Sequence, residues 1–117
     1  MYDFLKLVAE TCEQEGVQLV LSPSEWVYTN KDGCRTRGYF DEEVLAVAVG
    51  QKGWPLILAH EYGHLCQWQE GLFKDEGSPG AYALLEQWYA GKNFPKKQLK
   101  QAFDFVMACE LDAECRA

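Results

Sequence analysis

The chain has 117 residues, enough for one hydrophobic core without disulfide bridges, so we expect a single domain over residues 1–117. Hydrophobic residues make up 48% of the chain and aromatic residues 14%, which is typical of a folded protein and excludes a disordered one. The net charge of −7 argues against a nucleic-acid-binding surface, because such a surface needs a basic patch.

The cysteines and the N-terminus indicate a reducing compartment. The five cysteines are odd in number, and no two of them have CxxC spacing. The N-terminal stretch MYDFLKLVAETCEQE contains acidic residues and predicts an amphipathic helix rather than a signal peptide. No apolar run approaches the length of a membrane span. We therefore expect a cytoplasmic protein that binds neither nucleic acid nor membrane, with its thiols packed as small core residues.

The first half of the chain predicts one helix followed by about four strands. Residues 3–15 place apolar side chains at helical spacing, and Gly16 ends this helix. The predicted strands are residues 17–21, 25–29, 34–40 and 44–49. Asp32-Gly33 predicts a hairpin turn between the second and the third strand. We expect one small, mostly antiparallel sheet, and the sequence leaves its strand order undetermined.

The second half of the chain is predicted to be helical. One helix begins near Pro55 and ends at Gly71. Another begins at Ser78-Pro79 and ends near Gly91, and a last helix begins around Pro95 and continues to the end of the sequence. The predicted fold class is therefore α+β, with an N-terminal helix and a small sheet followed by three further helices.

The stretch LAHEYGHLCQW contains the only two histidines of the chain. His60 and His64 are four residues apart, so on a helix their side chains lie one turn apart on the same face. Two imidazoles at that spacing can bind one ion about 2 Å from each nitrogen, which suits Zn²⁺. Glu61 is rotated by about 100° from His60, which favours general-base catalysis on a metal-activated water over metal ligation. Ala59 and Gly63 are small and would allow another element to approach the metal closely.

The third ligand has to be a carboxylate or a thiolate, because the chain has no further histidine. The candidates are Asp75, Glu76, Glu86, Asp104, Glu110, Asp112, Glu114 and the cysteines. In the last predicted helix, Leu99, Phe103 and Val106 form one apolar stripe, and its steps of four and three place Glu110 on the core-facing side. A buried carboxylate needs a positive partner, and a metal ion supplies one.

Two other acidic residues of the last helix are expected to have roles other than metal ligation. Glu114 lies one turn beyond Glu110 on the same face, where it can accept a hydrogen bond from the far nitrogen of a ligating histidine. Asp112 lies about 200° around the helix from Glu110 and is expected to be solvated. Cys66 and Cys109 are close to these motifs in sequence, and we expect both to be core thiols.

The motifs HEYGH and ELDAE together resemble those of the zincin-type metallopeptidases whose third ligand is a glutamate, the gluzincins. The second motif is also similar to the Glu-x-x-Ala-Asp form of the CaaX-type proteases, with Glu114 in place of the aspartate. Over most of the chain, the order of elements resembles the small phage and bacterial domains of the ImmA/IrrE-like kind. Specific residue matches cover only residues 56–68 and 110–117.

The resemblance implies a zinc metallopeptidase that hydrolyses peptide or protein substrates. It implies one zinc ion per chain, with His60, His64 and Glu110 as ligands and Glu61 as the catalytic base. It also implies that the strand before the motif helix, residues 44–49, is an edge strand that pairs with extended substrate. The apolar character of that strand fits a covered position at least as well.

Several alternatives stay open at this stage. The group that stabilises the developing oxyanion is undetermined, with Tyr82 and Tyr89 as candidates. A zincin-fold regulatory or binding module could hold zinc without peptidase activity. Two histidines and a carboxylate are also the ligand set of non-haem iron enzymes, and a metal-free domain is the remaining interpretation. The sequence ends three residues after Glu114, inside the last predicted helix, which is consistent with a truncated C-terminus.

Overall fold

The computed structural model describes residues 2–30, 32–74 and 80–116. Its elements are α1 (Tyr2–Glu15), β1 (Gln18–Ser22), β2 (Val27–Tyr28), β3 (Arg35–Thr36), β4 (Gly38–Phe40), β5 (Val44–Ala48), α2 (Trp54–Gln69), α3 (Ala81–Tyr89) and α4 (Lys96–Arg116). These elements confirm the predicted α+β class and the predicted order of helices and strands. The helix start at Ser78-Pro79 and the candidate ligands Asp75 and Glu76 lie outside the described residues. No helix in the described ranges is long and apolar enough to cross a membrane.

The strand β5 is the middle strand of the larger sheet. It pairs with β1 in parallel and with β4 antiparallel, so that Leu45 lies between Leu19 and Phe40. All five residues of β5 are buried, as its apolar character on both faces predicts. The edge position that the resemblance implied for this strand is therefore wrong, because both of its backbone edges are already paired.

The strands β2 and β3 form a separate antiparallel hairpin, so the predicted single sheet is divided in two. The turn predicted at Asp32-Gly33 is confirmed, since Gly33 has φ 66° and Asp32 accepts a hydrogen bond from the backbone N–H of Cys34 at 3.2 Å. After this hairpin the chain changes partner, and residues 38–40 pair with β5 instead of β2. One predicted strand thus becomes two short ones.

The main core lies between α1, the larger sheet and α2. Its buried side chains are Val8, Cys12, Val17, Leu45, Val47, Leu58 and Leu65. The helix α2 packs against β4 and β5 and also against α4. As predicted, Pro55 lies in the first turn of α2, and Gly71 follows its end with φ 70°, a conformation that favours glycine.

A contact between two small residues brings α4 close to α2. A Cβ atom at Gly63 would lie 2.9 Å from the carbonyl oxygen of Ala113 and 3.2 Å from its Cα. Ala113 itself is fully buried. Because both residues are small, the two backbones approach closely and side chains on α4 reach the histidines of α2. The expectation that a small residue at 63 admits a neighbouring element is confirmed, and that element is α4.

We expect Gly63→Val to lower the free energy of unfolding by about 2 kcal/mol, because the new side chain would overlap the backbone of α4. Urea unfolding measures this change. Ala108→Val also introduces a valine, on the exposed side of α4, and is the control, with an expected loss below about 1 kcal/mol. Equal losses in the two variants would contradict the close approach of the helices.

The apolar stripe predicted on α4 is only partly correct. Phe103 is 55% exposed, whereas the buried residues of α4 are Ala102, Cys109 and Ala113. The buried face is thus rotated from the predicted one, because α4 meets α2 through small residues rather than through its large apolar ones. Glu110 is consequently at the border of the buried face and is partly buried.

Candidate metal centre

Three side chains on α2 and α4 bring donor atoms together. Nε2 of His60 lies 2.8 Å from Oε2 of Glu110, and Nε2 of His64 lies 3.1 Å from the same oxygen. The two Nε2 atoms are 3.1 Å apart. Ligand atoms around a tetrahedral zinc ion lie about 3.3 Å apart, so the observed spacing is close to what a single ion requires. His60, His64 and Glu110 together form a donor group that could therefore hold a metal ion.

The chemistry of this donor set requires positive charge at its centre. Two imidazole nitrogens and a carboxylate oxygen all carry lone pairs, which repel one another unless a metal ion or protons lie between them. The hydrogen bond with His64 is the main cause that lowers the pKa of the Glu110 carboxyl to about 2. Burial alone would lower the pKa of His64, but the hydrogen bond and charge of Glu110, the hydrogen bond with Gln67 and the charge of Glu61 together raise that pKa above its ordinary value. The three residues thus fit a bound cation.

The far nitrogen of His64 is held by Gln67, a residue that the sequence analysis missed. Nδ1 of His64 lies 2.9 Å from Oε1 of Gln67. The Gln67 side chain is 2% exposed and belongs to the interface of α2 with α4. The signal was present in the sequence, because residues 64 and 67 are three apart on one helix and hence neighbours on its surface.

Asp112 is only partly solvated: its side chain is 35% exposed, but it also bonds to two other side chains, which the sequence analysis did not predict. Its Oδ2 accepts hydrogen bonds from Nε2 of Gln67 at 2.9 Å and from Nε of Arg116 at 2.7 Å. These two bonds, that of Gln67 first, lower the pKa of Asp112. The sequence-based helical angle correctly predicted that Asp112 lies on a different side of α4 from Glu110. It did not account for the long side chain of Gln67, which reaches across from α2.

Glu114 lies beside the far nitrogen of His60, where it was expected. Its Oε1 is 2.5 Å from Nδ1 of His60, and its side chain is 66% exposed. Nδ1 is nevertheless a buried atom without a hydrogen bond in the described structure. The two atoms are therefore close together without meeting the angular requirement of a hydrogen bond.

Glu61, the expected base, lies between the donor group and β4. A Cβ atom at Gly38 would lie 3.5 Å from Cγ of Glu61, an ordinary contact distance, so the glutamate side chain lies directly against β4. Burial raises the pKa of Glu61, and the charges of His64 and His60 oppose that rise. A carboxyl with a raised pKa is a stronger base than an ordinary one, which suits proton transfer near neutral pH.

Tyr82 also contacts the donor group. Its hydroxyl donates a hydrogen bond to Oε1 of Glu110 at 2.9 Å, which leaves Oε2 of Glu110 to face the histidines. Burial and the neighbouring Cys109 and Glu110 raise the pKa of Tyr82 far above its ordinary value, so the hydroxyl stays a donor. Tyr89, the other candidate for the oxyanion, is 90% exposed.

The remaining candidate ligands lie elsewhere. Within the described ranges, the only group of three or more acidic, histidine or cysteine side chains that could hold an ion is the one formed by His60, His64 and Glu110. Cys109 is buried, as expected of a core thiol, and Cys66 is partly buried. The sulfur of Cys109 lies 3.8 Å from Nδ1 of His64, the ring nitrogen that does not face the other donors.

Comparison of the chain with models of known protein families found no match, and neither did comparison with curated proteins or with solved structures. The class of site is therefore defined by its own geometry. It is a possible metal centre of two histidines and one glutamate, located where α2 meets α4.

Proposed function

We propose that the protein is a zinc-dependent metallopeptidase of the zincin type. The observation that carries this proposal is the convergence of the ligand atoms of His60, His64 and Glu110 within 4.8 Å of one another. Glu61, which follows the first of these residues, is near the group without belonging to it. The resemblance of HEYGH and ELDAE to gluzincin motifs supports the same conclusion.

The donor set favours a catalytic zinc site over a structural one. Catalytic zinc sites have three protein ligands, such as two histidines and a glutamate, and keep the fourth position for water or substrate. Structural sites usually complete the set with a thiolate or an imidazole, and no such donor joins this group among the described residues. Zinc bound here would supply a Lewis acid that polarises the scissile carbonyl and acidifies water.

The residues of the chain would then transfer the proton, orient the Glu110 carboxylate and admit the substrate. Glu61 accepts a proton from the attacking water and delivers it to the leaving amine. Tyr82 holds one carboxylate oxygen of Glu110, so that only the other oxygen faces the metal position. A cleft between the β2–β3 hairpin and α3 is lined in part by Tyr82, which supports substrate access from that side. The strand available beside α2 for pairing with an extended peptide is β4, since β5 is paired on both edges.

A test of this proposal is hydrolysis of a mixed peptide library by the zinc-loaded protein, with the products identified by mass spectrometry. We expect cleavage that stops when a chelator removes the metal and resumes when zinc is added. A regulatory or binding module would retain zinc but cleave nothing. An iron enzyme can have the same ligand set, but it would contain iron rather than zinc when purified anaerobically without added metal.

We expect zinc affinity to fall by up to about tenfold per pH unit as the pH decreases from 8 to 6. The pKa of His64 is raised, so protons compete for its ring nitrogen at a higher pH than they do for an ordinary histidine. The protonated, metal-free form is favoured below that pKa and lost above it, and zinc binding has the opposite dependence. Titration with a competing chelator at several pH values measures the effect, and a constant affinity over this range would contradict it.

A further inference from the structure

The amide of Gln67 uses all of its hydrogen-bonding capacity inside the protein. Its Nε2 donates to the carbonyl oxygen of Cys109 at 2.9 Å and to Oδ2 of Asp112 at 2.9 Å. Its Oε1 lies 2.9 Å from Nδ1 of His64 and 3.3 Å from Sγ of Cys109. A buried amide that is satisfied in this way is held in one orientation, because turning it over would break the bonds on both sides.

The surroundings determine which end of the amide faces His64. The carbonyl of Cys109 and the carboxylate of Asp112 can only accept, so they select the NH₂ end of Gln67. The oxygen end is left for His64 and for the thiol of Cys109, which donate. Nδ1 of His64 must therefore carry a proton in order to bond to Gln67. In the neutral ring, the lone pair then belongs to Nε2, the atom that faces His60 and Glu110.

We propose that Gln67 is a positioning residue that holds His64 in the tautomer with its proton on Nδ1, so that Nε2 is ready to bind the metal. The inference rests on the proposed function only in taking the donor group as a metal site. Asp112 supports the orientation of Gln67, and Arg116 supports Asp112 while it also pairs with Glu70 beside the end of α2.

The two histidines differ in the partner of their Nδ1 atom. The far nitrogen of His64 bonds to a buried amide, whereas Nδ1 of His60 has no hydrogen bond in the described structure and approaches only the exposed carboxylate of Glu114. Gln67 thus fixes the ring of His64 before the metal arrives. Loss of such a partner behind a ligating histidine lowers metal affinity by about 10- to 100-fold.

The experiment compares Gln67→Met with Gln69→Met. Methionine has a similar size but lacks the amide, and Gln69 is exposed on the same helix, where it bonds to Glu15 instead of a histidine. We expect zinc affinity, measured against a competing chelator, to fall about 10- to 100-fold in Gln67→Met and to stay within about threefold in Gln69→Met. Affinities in Gln67→Met within threefold of those in the control would overturn the inference.

A double variant covers the case in which Gln67→Met does not fold. With Gln67→Glu and Asp112→Asn together, the carboxylate at position 67 accepts from Nδ1 of His64 and from the new amide at position 112. Zinc affinity should therefore stay within about threefold of that of the unaltered chain, or exceed it, because an acceptor behind the ligating histidine is kept. A fall of about tenfold or more in this folded double variant would overturn the inference.

The tautomer itself is a readout that does not depend on zinc. Nitrogen-15 NMR of the metal-free protein at pH 9 reports which ring nitrogen of His64 carries the proton. We expect the proton on Nδ1 in the unaltered chain and in Gln69→Met, and a mixture of tautomers in Gln67→Met. A proton on Nε2 in the unaltered chain would overturn this inference. Absence of zinc binding with the proton on Nδ1 would instead count against the proposed function alone.

Discussion

Glu110→Gln is expected to weaken zinc binding by at least about 100-fold, or roughly 2.7 kcal/mol. The substitution removes the negative charge that offsets the charge of the ion. It also has a geometric effect, because the hydroxyl of Tyr82 donates to Oε1 of Glu110. An amide would give its oxygen to Tyr82 and turn its NH₂ group toward His60 and His64, where a ligand atom is needed.

Asp104→Asn is the matched control for this prediction. Asp104 is on the same helix, is 60% exposed and pairs with Lys100 at 2.7 Å. Its conversion to the amide removes the same charge from α4 at a distance from the donor group, so zinc affinity should change by less than about threefold. Chelator competition measures both variants, and similar affinities for Glu110→Gln and Asp104→Asn would remove Glu110 from the ligand set.

Glu61→Gln is expected to reduce peptidase activity by about 10²- to 10⁴-fold while zinc affinity stays nearly unchanged. Glu61 does not belong to the group of metal donors, so its amide variant should still bind the ion. The amide cannot accept a proton from water, and the raised pKa of Glu61 shows that its environment strengthens it as a base. The loss should therefore appear in kcat.

The measurement for this second prediction is the rate of cleavage of one peptide identified from the library, at saturating zinc. Glu10→Gln provides the control, because Glu10 is an exposed residue of α1 and its variant should retain full activity. Activity in Glu61→Gln equal to that of Glu10→Gln would exclude Glu61 as the base. Loss of zinc together with activity would instead indicate that Glu61 is a ligand.

The donor group was predictable from the sequence because two of its members lie on one helix and their spacing alone places them together. Glu110 was found by extending an apolar stripe on α4, although the buried face of that helix is rotated from the predicted one. Glu110 nevertheless contacts both histidines, because a glutamate at the border of a buried face can still reach across to α2. The small residue at 63 correctly indicated where the two helices would meet.

The strand pairing could not be predicted in the same way. Hairpin pairing is local, and the turn at Asp32-Gly33 gave the β2–β3 pair directly. The parallel pairing of β1 with β5 joins residues such as Gln18 and Val44 that are distant in sequence, and no local pattern specifies it. The central position of β5 was indicated by its apolar character, whereas the edge position came only from the resemblance and failed.

The partners of His64 were missed for a different physical reason. Helical angles describe where a side chain leaves the backbone, whereas Gln67, Asp112 and Arg116 meet through the length of their side chains. A buried amide is costly unless its bonds are satisfied. A ligating histidine needs a hydrogen-bond partner for the ring nitrogen that does not face the metal, and on α2 the residue three positions after His64 is the glutamine Gln67.

The central claim is that one zinc ion binds to His60, His64 and Glu110. Its most direct test is the zinc and iron content per chain, measured by elemental mass spectrometry after anaerobic purification without added metal, and again after exposure to zinc and removal of the excess. We expect about one zinc and little iron per chain in the protein and in Asp104→Asn, and almost none in Glu110→Gln. A chain that retains no zinc, or that retains iron in its place, would contradict the account.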